Sequence, residues 1–95
     1  MLVSTKKILS QAEVGEFAVG AFNVYNLEGV RAVIEAAENE YLPVIIQIHP
    51  ESVIRGGKPL VALCLAAAEG SSVSISVHLD HSESEDEIEI GLLAG

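Results

Sequence analysis

Three short apolar runs, over 17–24, 44–49 and 73–79, each turn polar at their last in-phase position. Side chains alternate between the two faces of a strand. One face of the first run carries Val19, Ala21 and Asn23. The matching face of the second carries Ile45, Gln47 and His49, and that of the third Ser74, Ser76, His78 and Asp80. Helix-patterned stretches lie between the runs, an order that predicts a parallel sheet with right-handed crossovers. Ligands in such folds bind at the carboxyl ends of the strands. Three successive strands therefore aim polar groups at one mouth.

The third run is the sharpest. Val73, Ile75, Val77 and Leu79 share the face that can pack on helices, while the opposite face starts with small serines and ends in ionisable groups. His78-Leu79-Asp80-His81-Ser82 then gathers an acid and two imidazoles at the turn. Such a strand suits the inside of a barrel that opens into an active site better than a strand buried on both faces.

Around these strands the pattern predicts four helices. Ser4 or Thr5 caps a first one running to about Glu13 and ended by Gly15. Asn26 caps a second over 27–40, in which Val30, Val33, Ile34 and Ala37 form one apolar stripe. Pro43 opens the second strand. Residues 50–58, with Gly56-Gly57, read as a loop; Pro59 then fits the first turn of a helix over 60–69 that Gly70 ends. Ser82 and Glu85 have capping-box spacing for a last helix over 83–93, which Gly91 weakens. The acids Glu83, Glu85, Asp86 and Glu87 sit where the helix dipole favours them and read as a solvated face.

Three strands leave two parallel edges open and cannot close a barrel, which needs eight strands and roughly 250 residues. The 95 residues are therefore expected to be the amino-terminal part of a single (βα)8 barrel domain, incomplete, or to depend on a partner. With 49 % apolar residues the chain is expected to be folded, and with no Trp and two each of Tyr and Phe its core must be aliphatic. Five Lys and Arg against 14 Asp and Glu give a net charge of -9. A nucleic-acid backbone or an anionic membrane would repel that charge. The apolar runs fall short of the roughly 18 to 20 residues that span a bilayer. The lysines follow the short apolar start, the reverse of a secretory signal. The single cysteine, Cys64, rules out an internal disulfide and reads as helix packing. A cytoplasmic setting is the expectation.

Ser4-Thr5-Lys6-Lys7, the stretch Ala18-Val19-Gly20-Ala21-Phe22-Asn23-Val24-Tyr25-Asn26-Leu27-Glu28, then Pro43-Val44-Ile45-Ile46-Gln47 and above all Val77-His78-Leu79-Asp80-His81 resemble the class II, zinc-dependent ketose-bisphosphate aldolases. The resemblance runs through all 95 residues. It implies a (βα)8 barrel, usually dimeric or tetrameric, acting on phosphorylated sugars such as fructose or tagatose bisphosphate in carbohydrate metabolism. It implies that Asp80 handles a proton at the substrate's C4 hydroxyl, that His81 binds the catalytic Zn2+, and that Asn23 helps to hold the substrate. The family's other two zinc-binding histidines and its glycine-rich phosphate loop come from later strands. At His49 the bisphosphate aldolases usually carry Ser or Thr.

Each residue also has a plainer reading. His81 is a metal ligand or a loop histidine. Asp80 is catalytic or caps the helix that follows. His78 supports the site from behind or is a hydrogen-bonded interior histidine. Asn23 contacts substrate or serves the turn, and His49 contacts substrate or is structural before Pro50. Gly56-Gly57 with Lys58 reads as a plain loop rather than a phosphate cradle. The function that follows is metal-dependent reversible aldol cleavage of a phosphorylated ketose to dihydroxyacetone phosphate and an aldehyde. The alternative is an inactive half-barrel that self-associates.

Overall fold

The computed structural model describes all residues, 1–95. Its elements run α1 (Thr5–Gly15), β1 (Gly20–Asn23), α2 (Leu27–Glu40), β2 (Val44–Ile48), α3 (Pro50–Gly70), β3 (Ile75–Leu79) and α4 (Glu85–Ala94). The three strands form one sheet in the order β1-β2-β3, and both pairs are parallel. This is the expected α/β architecture of successive βα units.

Side-chain caps set where the helices start. Ser4 Oγ accepts from the Lys7 N–H and Asn26 Oδ1 from the Gly29 N–H, each taking up a donor the helix cannot satisfy. The last helix differs from expectation: Ser84, not Ser82, is its cap, with Oγ accepting from the Glu87 N–H. Ser82 Oγ is buried without a partner. α1 stops one residue later than its glycine suggests, on Glu16, while α2 ends at Glu40 as expected; both caps, Glu16 and Tyr41, lie in the left-handed region. Their N–H groups close the last helical turn onto Ala12 and Glu13, and onto Ala37 and Glu38.

The stretch over 50–58 is helical rather than a loop. His49 caps it and Pro50 takes the first helical position, where its missing N–H costs nothing. The loop reading failed because the two glycines do not break the chain at its start. They break it midway: Gly57 has φ 56° and ψ −155°, so α3 is two helical segments meeting there. Only glycine adopts that conformation readily. Pro59, which has no N–H to donate, follows directly.

α2 and α3 pack on one face of the sheet. Val30, Ile34, Ala37, Ile46, Ile48, Val61, Cys64, Ala68 and Ile75 belong to one buried cluster there. Ile46, in the central strand, is fully buried, a removal from water worth about 1.5–3 kcal/mol. Desolvation in this core pushes the Cys64 thiol up to about 11. α1 lies on the other face: it contacts β3, and Thr5 Oγ1 donates to Ser76 Oγ at 3.1 Å. Ser76 and Ile45, on the face of the polar switches, are thereby buried.

Both sheet edges were expected to be open. The β3 edge is partly covered, because Leu2 bridges Ile75, the Val3 N–H donates to the Ile75 carbonyl, and the Ile75 N–H to the Met1 carbonyl. The amino group of Met1 also reaches the carbonyls of Ser71 and Val73. The β1 edge remains open. Beside it Phe22, Ala36, Leu42 and Val44 line an apolar groove of about 450 Å³. No helix is long and apolar enough to cross a membrane.

Candidate active site

The sheet register brings Asn23, Gln47 and His78 into one row, since Asn23 pairs with Gln47 and Gln47 with His78. It is the last row that spans all three strands; β2 and β3 pair one step further, at Ile48 and Leu79. Asp80 lies just beyond β3, where its N–H donates to the Ile48 carbonyl at 3.0 Å. That bond places an acid from the third strand at the end of the second. The Asp80 side chain is only 12 % exposed, whereas that of the next residue, His81, is 77 % exposed.

These groups form one chain of contacts. Asn23 Nδ2 donates to Asp80 Oδ2 at 3.0 Å. Gln47 Nε2 donates to Asn23 Oδ1 at 3.2 Å, and Gln47 Oε1 lies 3.2 Å from His78 Nδ1. On its other oxygen, Asp80 Oδ1 is 3.7 Å from His81 Nε2. A carboxylate partly withdrawn from water and held by an amide can take up a proton. His81 has left-handed backbone, φ 52°, uncommon for a residue other than glycine. It is not a helix cap, and the conformation turns the chain sharply between the acid and the imidazole.

His49 sits close by, its ring 6.2 Å from that of His81. Its Nδ1 accepts from the Glu51 N–H at 3.2 Å, as the cap of α3. The neutral ring therefore carries its proton on Nε2 and offers a donor there. Its structural role and a substrate contact coexist, one on each nitrogen.

Five expected site residues, Asn23, His49, His78, Asp80 and His81, thus gather at one rim. Gln47 joins them, although the sequence singled it out only as one position on a face. The signal was present: it is the middle residue of the polar row. No three His, Cys, Asp or Glu side chains converge to hold a metal ion. The donor chemistry still fits zinc in part, because His81 presents an exposed imidazole beside a carboxylate, and imidazole is an ordinary zinc donor.

Parallel βα units that gather polar groups at their carboxyl ends are the architecture from which TIM-type barrels are built. Residues 3–94 match the family described as Fructose-bisphosphate aldolase class-II, and the chain belongs to that family. Two crystal structures are similar. One is of a protein described as a fructose-1,6-biphosphate aldolase from Coccidioides immitis, at 35 % identity and a TM-score of 0.87 over 90 % of this chain and 33 % of that one. The other is the YdjI aldolase from Escherichia coli K12, at 28 % identity and a TM-score of 0.91 over 100 % of this chain and 38 % of that one. The chain thus spans about a third of the length of the first and 38 % of the second.

Proposed function

We propose that this chain supplies the acid–imidazole corner of a class II aldolase, a single (βα)8 barrel of which residues 1–95 form the amino-terminal part. The reaction is reversible cleavage of a phosphorylated ketose to dihydroxyacetone phosphate and an aldehyde. The observation that carries the reading is the pair at the end of β3: Asp80, oriented by Asn23 at 3.0 Å, beside the exposed His81. Asp80 takes the proton of the C4 hydroxyl as the C3–C4 bond breaks, and Asn23 keeps its carboxylate aimed. His81 would hold Zn2+ together with donors from later strands, and zinc bound there would supply Lewis acidity toward the ketone oxygen. The Nε2–H of His49 donates to a substrate oxygen. His78 supports the row from the side away from Asp80. A cytoplasmic homo-oligomer is the expected setting.

The test uses the complete polypeptide or assembly. His81→Ala should lose zinc, measured by mass spectrometry. Asp80→Ala should keep zinc and lose on the order of 10² to 10⁴ in rate, as expected when a general base is removed. Full zinc in His81→Ala, or full rate in Asp80→Ala, would refute these roles. The chain alone should cleave no ketose.

A second reading draws on the open β1 edge and the apolar groove beside it. There the chain self-associates through that edge and has no activity. Sedimentation showing a compact, cooperatively melting monomer would count against it.

A further inference from the structure

We infer that Gln47 is a positioning residue of this site: it passes on the amide direction that Asp80 sets in Asn23, and so fixes the tautomer of His78. The inference rests on the aldolase reading for its effect on rate, and on geometry alone for its effect on structure.

The argument starts at Asp80. An ionised carboxylate only accepts hydrogen bonds, so Asn23 must turn Nδ2 toward it. The opposite orientation would set two acceptors 3.0 Å apart. A hydrogen bond to a charged group is roughly twice as strong as one between neutral amides, so the carboxylate decides the direction. Asn23 Oδ1 then faces Gln47, and of the two ends of that amide only Nε2 can donate to it. The remaining atom, Gln47 Oε1, is an acceptor, so the His78 nitrogen 3.2 Å away must carry the proton. His78 is therefore the Nδ1–H tautomer, and its Nε2 is bare.

The two imidazoles on this rim end up in opposite states. His49 shows Nε2–H because its Nδ1 accepts from the Glu51 N–H. His78 shows an unprotonated Nε2 because its Nδ1 donates to Gln47. One rim thus offers a fixed donor and a fixed acceptor, a pairing suited to a substrate that carries both hydroxyls and anionic oxygens. Gln47 touches neither the acid nor any reacting atom. It acts through its two neighbours.

The experiment is nitrogen-15 solid-state NMR of histidine-labelled protein, which reads tautomers whether or not the chain self-associates. There are only three histidines, and His78→Gln assigns the signal. The native protein should show His78 as Nδ1–H. Gln47→Met, similar in length but without donor or acceptor, should return it to the Nε2–H form that free imidazole side chains favour. Gln47→Glu keeps an acceptor and should retain Nδ1–H, while setting a second carboxylate in competition with Asp80 for the Asn23 amide. In the complete enzyme both variants should then lose about ten- to a hundredfold in kcat, the usual range for a residue that orients a ligand's neighbours, with zinc content and KM little changed.

A native His78 in the Nε2–H form, or a tautomer unchanged in Gln47→Met, overturns the inference. If Gln47→Met fails to fold, the native and Gln47→Glu spectra still decide it. Correct tautomers in an enzyme that cleaves no ketose would sink the aldolase reading alone; normal cleavage with the wrong tautomer would sink this one alone.

Discussion

Asn23 and Asp80, 57 residues apart, meet side chain to side chain at 3.0 Å across the mouth of the sheet. Neither strand neighbours the other. β2 lies between them, and the contact forms because Asp80 leaves β3 over the end of β2, with its N–H on the Ile48 carbonyl.

Asn23→Leu should therefore weaken catalysis without touching the metal. The Asp80 carboxylate loses a hydrogen bond worth about 1.5–3 kcal/mol. In the complete enzyme that corresponds to a fall in kcat/KM of roughly ten- to 150-fold, with zinc content unchanged. A parallel loss of zinc would mean that Asn23 supports the metal, not the acid.

Gly57→Ala should destabilise the fold although there is room for a methyl group. The nearest atom to a Cβ there is the Pro59 Cδ, at 3.7 Å, an ordinary contact. The penalty is conformational: φ 56° with ψ −155° suits only glycine, at about 1–3 kcal/mol for another residue. Urea denaturation of the variant checks it. An unchanged midpoint would show that the break in α3 can move elsewhere.

Glu38 should give the fold an acid limb. Its carboxylate accepts from the Ser72 N–H and from the hydroxyls of Ser71 and Ser72, tying α2 to the start of the third βα unit. The Ser72 backbone bond, then the Ser71 and Ser72 hydroxyls, hold its pKa below the usual carboxylate value. The folded pKa is depressed. The stabilisation is therefore present above the unfolded carboxylate pKa, and it fades as pH falls through the lower folded value. Glu38→Gln should flatten that part of the stability–pH curve, measured by denaturant titration between neutral and acid pH. A curve that keeps its shape would assign the acid limb to other carboxylates.

The strands were legible because their polarity switches share a phase, and phase survives errors of two or three residues at each end. β1 is shorter than its apolar run: residues 17–19 lack strand pairing. His49 left β2 to cap α3, its Nδ1 accepting from the Glu51 N–H. The helical start of α3 was hidden by Gly56 and Gly57, whose break falls inside the helix and not before it. Ser82 resembled a cap through spacing alone; which of two nearby serines faces a free N–H depends on the turn at His81. The site residues were legible one by one, but their direction was not. Donor and acceptor order along Asp80, Asn23, Gln47 and His78 depends on register between strands, which periodicity within a strand does not carry.

The bridge between Leu2 and Ile75 bears on the order in which the molecule is assembled. β1, β2 and β3 stand side by side in the order in which a ribosome makes them, so each new strand can add to an edge that already exists. The first three residues cannot join in this way, because their hydrogen-bond partners lie some seventy positions downstream. Closing so long a loop is slow compared with pairing neighbours. Residues 1–3 are thus among the last of these elements to settle, although they precede all three strands, and α1 gains its link to Ser76 only once the third strand has emerged.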